Sequence, residues 1–202
     1  MSQIALPLAW PTADGEADFF VSDANEAAVA WLDRWPDWPR PVTLLVGPAG
    51  AGKSHLARIF ERRTGATVFD DADRSRDEEA LFHAWNAAGA KPLLLTARTP
   101  PRDWKVALPD LASRLGATPL INIGLPDEPL LAAVMAKQFR DRGVSVSPDL
   151  IAWVLARSER SFQAVARAVT LLDTAALERG RAITVPLARQ VLDGQLDWID
   201  AG

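Results

Sequence analysis

Residues 47–54 read GPAGAGKS, a G-x-x-x-x-G-K-S string that follows the apolar run VTLLV (42–46) and opens KSHLARIFERR (53–63). The flanks give the string its meaning. A strand, a glycine-rich turn and a helix start, in that order, aim backbone N–H groups at one point, where the helix end adds partial positive charge. Gly50 and Gly52 let those amides approach phosphate oxygens with no Cβ in the way. The loop Gly47, Pro48, Ala49, Gly50, Ala51, Gly52, Lys53 and Ser54 is therefore the candidate nucleotide cradle. Lys53 is expected to neutralise the β and γ phosphates and Ser54 to ligate Mg²⁺.

Such a site also needs a carboxylate at the end of a neighbouring strand. GATVFDDADR (65–74) offers Asp70 for the Mg²⁺ shell and Asp71 to orient an attacking water. Asp70, Asp71 and Asp73 also suit a solvated turn with helix-capping acids. Asp70 follows Lys53 by 17 positions, room for one helix and one strand only. Either the sheet is smaller than usual for a phosphate-loop fold, or GATVF is a different strand and the metal site is degraded.

Outward from the loop the chain alternates. KPLLLTAR (91–98) and TPLINIGL (118–125) read as further buried strands, and EEALFHAWNAAG and LPDLASRLG as helices. Upstream, FFVSDANEAAVAWLDRW enters a helix with Asp23 as the expected N-cap and Glu26 completing a capping box. From Asp127 the strands stop. PDEPLLAAVMAKQFRDRG, SPDLIAWVLARS, SFQAVARAVTLLDTAALERG and TVPLARQVLDG read as four helices, with Ser147 and Pro148 as a start signal and Gly180 as a stop. The expected architecture is an α/β phosphate-loop module with a small parallel sheet flanked by helices, followed by an all-helical domain. The divisions fall at 1–18 for an apolar tip and polar linker, 19–125 for the α/β domain, 126–195 for the helical domain and 196–202 for a tail.

Composition narrows the function classes. The 202 residues hold no Cys, which removes disulfides and thiolate metal sites, and two His, too few for a metal centre. A net charge of -4 gives no global field for nucleic acid, so direct sequence-specific DNA binding is not expected. No apolar run reaches membrane-spanning length and no signal-peptide pattern opens the sequence, so a cytoplasmic protein without a membrane partner is expected. Of the eight Trp, those in WLDRWPDWP (31–39) suit packing of a helix end and the following turn, around the adenine side of the site, better than a nucleic-acid stacking platform. The tip QIALPL (Gln3, Ile4, Ala5, Leu6, Pro7, Leu8) is unusually apolar for a chain end. Pro7 disfavours helix there, so the stretch suits an extended peptide docking in an apolar groove.

The order of these pieces resembles AAA+ ATPases of the DnaA group, and within it the Hda-type regulators. GPAGAGKSHLA resembles the Walker A stretch with its trailing His-Leu, which adds His55 to the nucleotide-binding segment. FDDADR is similar to Walker B, LLLTARTPPRDW to the sensor 1 strand and loop, LPDLASRL to the arginine-finger segment, and RSFQAVARAVTLLD to the sensor 2 helix of the lid. QIALPL resembles a sliding-clamp-binding hexapeptide, and the helix-turn-helix domain that ends DnaA has no counterpart here.

The resemblance implies ADP or ATP with Mg²⁺ as cofactors. Thr96 would be sensor 1, touching the γ-phosphate or water. Arg160 would be sensor 2, with Arg157 as an alternative, and Arg114 a finger pointed at a nucleotide on a neighbouring subunit. The implied partners are the DNA polymerase III sliding clamp (its beta subunit) and the DnaA initiator, with a homo-oligomer as a further option. The implied role is a regulator of replication initiation that promotes hydrolysis of DnaA-bound ATP. A stand-alone ATPase of the helicase-loader or remodeller type, and an inactive scaffold, remain as rivals.

Overall fold

A computed structural model describes residues 20–74 and 77–192. The tip at 3–8 and the tail at 196–202 lie outside the described residues. Two compact units divide between Leu125 and Pro126.

The first unit is built on a four-stranded parallel sheet of order β2-β3-β1-β4, with β1 at Val42–Val46, β2 at Thr67–Phe69, β3 at Leu93–Ala97 and β4 at Leu120–Asn122. The middle strands VTLLV and LLLTA are buried along their whole length, which explains their near-continuous apolar runs. The edge strands β2 and β4 have three residues each and are partly exposed, short enough to offer little edge for pairing. The sheet is thus small, and the strand leading to Asp70 pairs with β3 rather than with the phosphate-loop strand.

Helices α1 (Glu26–Asp33), α2 (Lys53–Thr64), α3 (Glu78–Ala87) and α4 (Pro109–Gly116) flank the sheet, with a short 3-10 turn at Pro101–Asp103. The expected capping box at Asp23 does not form. Residues 23–25 make a turn, Asn25 stands at the N-cap without a side-chain capping bond to the helix, and Glu26 is the first helical residue. The helix starts where Asn25 O first accepts, from Val29 N. Farther on, Asp77 caps α3 by accepting from Ala80 N.

The Trp-rich segment is packing. Trp38 stacks between Trp31 (6.1 Å between ring centroids) and Phe60 of α2 (5.3 Å), and donates from Nε1 to Trp31 O at 2.8 Å. Trp31 Nε1 donates to the buried Thr43 hydroxyl, which itself donates to Pro119 O, so the segment is sewn to β1 and to the residue before β4. These indoles satisfy their N–H groups inside the unit, as buried tryptophans do.

The second unit, described from Pro126 to Leu192, is all helical: α5 (Glu128–Asp141), α6 (Pro148–Leu155), α7 (Phe162–Arg179) and α8 (Val185–Leu192). Asp127, Ser147 and Ser161 cap the first three through side-chain acceptors, and α7 stops at Gly180. Its core gathers Met135, Phe139, Leu150, Val154, Val169 and Leu172. No helix among the described residues is long and apolar enough to cross a membrane.

Trp38→Ala removes three ring contacts, to Trp31, Trp35 and Phe60, and an indole hydrogen bond from a site only 8% exposed. The expected loss is about 3–5 kcal/mol, read as a lower urea midpoint by circular dichroism.

Candidate nucleotide-binding site

Parallel strands bring their C-terminal ends to one edge of the sheet, where ligands of α/β folds bind. Here that edge presents the phosphate loop after β1, the acids after β2, and Arg98 after β3. The loop backbone matches its sequence. Gly50 (φ 74°) and Gly52 (φ 89°) occupy the left-handed region, where a side chain would be strained, and Gly52 leads directly into α2. Gly47 serves a different purpose from phosphate approach. A Cβ there would lie 2.3 Å from the carbonyl oxygen of Ile123, so the glycine lets the loop pass against the chain leaving β4. Pro48 and Ala49 continue the loop, Ala51 is buried beneath it, and His55 is exposed on α2.

Lys53 is 5% exposed and turned back onto its own loop, donating from Nζ to Gly47 O at 2.7 Å and Pro48 O at 2.8 Å. Burial lowers its pKa, opposed chiefly by the Asp71 carboxylate, while the Arg98 guanidinium lowers it further. The ammonium is therefore parked on neutral carbonyls, short of full charge compensation, and an anion in the loop would supply it.

Asp70 and Ser54 meet. The Ser54 hydroxyl donates to Asp70 Oδ1 at 2.9 Å, so the shortened chain still delivers the carboxylate to the helix start. Hard oxygen donors of this kind suit Mg²⁺. The described residues hold no group of three or more His, Cys, Asp or Glu side chains arranged for a metal. A cation here would complete its shell with phosphate oxygens and water.

Thr96 holds the acids. It is fully buried; its hydroxyl donates to Asp70 Oδ1 and accepts from Asp71 N at 2.9 Å, while its carbonyl accepts from Ala72 N at 2.8 Å. Three bonds from one residue of β3 thus fix the turn after β2. They hold Asp71 at φ 47°, a left-handed conformation that Asp tolerates better than most residues. The Asp71 carboxylate reaches Arg98, with Nη2 to Oδ2 at 3.6 Å. Asp73 turns the other way and accepts from Arg98 N at 3.1 Å and Thr99 N at 3.3 Å, closing the turn onto the end of β3.

Arg114 sits near the end of α4, its side chain 31% exposed. Its Nη1 donates to Asn86 Oδ1 at 2.7 Å, its Nη2 pairs with Asp110 at 2.9 Å, and its guanidinium lies 4.6 Å from the centroid of the Phe82 ring. The start of α4 is tied to α3 as well, because the Glu78 carboxylate accepts from Ala107 N and Leu108 N. Two ties, one near each end of α4, set where the arginine stands.

In the helical unit, Arg157 and Arg160 do not share a helix. Arg157 lies just past α6, folded over Trp153 (4.4 Å to the ring centroid) and donating to Trp153 O. Arg160 is exposed in the turn before α7. Elsewhere, a cleft of about 270 Å³ bordered by Arg40, Pro41, Val42, Trp85, Thr118 and Pro119 lies at the opposite end of the strands. The length of β1, roughly 17 Å, separates it from the phosphate loop.

Sequence reasoning overlooked Arg98, Asn86 and Phe82. An arginine after a strand carries no spacing signal, whereas the helical spacing of Phe82 and Asn86 could have shown that they share one face of α3.

Comparison with known proteins fits this geometry. Residues 127–192 match the family model of the Hda lid domain. The chain superposes on domain III of the Thermotoga maritima replication initiation protein DnaA with a TM-score of 0.75 at 15% identity, covering 91% of this chain and 95% of that one. AMPPCP-bound DnaA from Aquifex aeolicus follows with a TM-score of 0.62 at 16% identity, covering 79% of this chain and 65% of that one. The Thermotoga maritima RuvB Holliday junction branch migration motor also has a TM-score of 0.62, at 17% identity, covering 83% of this chain and 65% of that one.

Thr96→Val removes a donor to Asp70 and an acceptor from Asp71 N inside a buried site. It should destabilise the first unit by about 1–3 kcal/mol in chemical denaturation, with Thr96→Ser close to wild type. Gly47→Ala should lower the thermal midpoint, because the new methyl meets the backbone carbonyl of Ile123 as well as its side chain, and the backbone is not free to move aside.

Proposed function

We propose a cytoplasmic, adenine-nucleotide-bound regulator of replication initiation that completes another protein's active site; the match of residues 127–192 to the Hda lid-domain model and a fold shared with domain III of DnaA support this reading. The phosphate loop would carry ADP or ATP. Its backbone amides and Lys53 would take the phosphates, with Ser54 and Asp70 holding Mg²⁺, which neutralises phosphate charge when bound. Arg160 of the lid would read the bound nucleotide as sensor 2; the fold of Arg157 onto Trp153 favours Arg160 for that role.

The observation that carries the reading is the mounting of Arg114. Its guanidinium is already oriented by Asn86, Asp110 and Phe82, so little side-chain entropy remains to be lost when it meets a phosphate. Planar forked donors suit the charge spread over a transferring phosphoryl group. The proposed target is ATP held by DnaA, and the proposed address is the sliding clamp, engaged by residues 3–8.

Two measurements test this. In ATP hydrolysis by DnaA with clamp-loaded DNA, wild-type protein should stimulate turnover and Arg114→Ala should not, since a finger in trans contributes about 10³ to 10⁵ in rate. Arg114→Lys keeps the charge without the fork and should stay defective; equal stimulation by all three would exclude the finger. Separately, Leu6→Ala with Leu8→Ala should abolish clamp binding while nucleotide affinity is unchanged. Retained clamp binding would remove the tip from the account.

A further inference from the structure

Arg98 brings a second cation to the phosphate end of the site. The pairing of Val46 with Ala97, and the bond from Gly47 N to Ala97 O at 3.1 Å, put it beside the first residue of the phosphate loop. Its backbone is fixed, because Arg98 N and Thr99 N both donate to Asp73 Oδ2. Its side chain is not. The contact with Asp71 spans 3.6 Å, and the two side chains are 40% and 41% exposed, which is the geometry of a pair that exchanges readily. Its charge is felt at Lys53, whose ammonium it disfavours.

A carboxylate and a γ-phosphate at this edge would compete for the same cations. The charges of Asp71, Asp73 and Asp70 are felt at Lys53, and Asp71 also pairs with the Arg98 guanidinium. With Asp70 engaged by Ser54 and Thr96, and Asp73 by the end of β3, Asp71 is the acid left to hold the guanidinium. An incoming γ-phosphate carries more charge than a carboxylate and presents oxygens to a forked donor.

We propose that Arg98 discriminates ATP from ADP: it rests on Asp71 when the γ-phosphate position is empty and exchanges that carboxylate for the γ-phosphate when ATP binds. The proposal rests on the phosphate loop being a nucleotide site, as argued above. The exchange also releases Asp71 only when ATP is present, which links recognition of the third phosphate to the acid that would orient water.

The test is the affinity of the full chain for ADP and for a non-hydrolysable ATP analogue, with Mg²⁺, in wild type, Arg98→Ala, Arg98→Gln and Asp71→Asn. Arg98→Ala and Arg98→Gln should weaken the ATP analogue about tenfold and leave ADP unchanged, as expected for one lost charge-assisted contact. Asp71→Asn removes the competing carboxylate and should tighten the analogue severalfold with ADP again unchanged. Equal weakening of both nucleotides, or no change in either, would overturn the role of Arg98 while leaving the nucleotide site standing. Failure of the wild-type chain to bind either nucleotide would overturn the site itself and Arg98's role with it.

Discussion

The parallel pairing of Val42–Val46 with Leu93–Ala97 governs the rest of the first unit. Both strands are buried on both faces, so their register is held by packing as well as by the ladder. One consequence is local: Gly47 N donates to Ala97 O, and the phosphate loop begins against the end of β3. The other is carried by Thr96, one residue earlier, whose hydroxyl and carbonyl hold the turn after β2. Slipping β3 by one residue would point that hydroxyl to the opposite face and release Asp70 and Asp71 together.

Charge at this edge is incompletely balanced. A buried ammonium rests on two carbonyls, and the nearby carboxylates are divided among Ser54, Thr96, Arg98 and the amides after β3. Such an arrangement is expensive to leave dry and becomes favourable once an anion and a hard cation enter. Arg114 is a different kind of device. It is held by side chains of α3 and α4 with no contact to these acids among the interactions described, which is compatible with the proposed role toward a nucleotide on another protein.

Much of this was legible in the residues themselves. Glycines in a loop, two mainly apolar middle strands and capped helices are local signals, and they carried the four-stranded parallel sheet and the four helices of the second unit. The capping residue of α1 was misread because Asp23 satisfies the pattern, whereas the first helical acceptor is Asn25 O. Thr96 could be placed at the end of its strand from sequence, but its hydrogen bonds to a turn 25 residues away depend on strand order. Arg98 was missed for the same reason, since its partners Asp71 and Asp73 belong to another strand's exit. The Gly47 contact with Ile123 is likewise set by β4 lying beside β1.

The most direct measurement is isothermal titration of the purified chain with ADP in the presence of Mg²⁺, comparing wild type with Lys53→Ala and using circular dichroism to confirm that both are folded. One-site binding by wild type and its loss in Lys53→Ala is the predicted result. No binding by wild type, or equal binding by the two proteins, would contradict a nucleotide site built on residues 47–54.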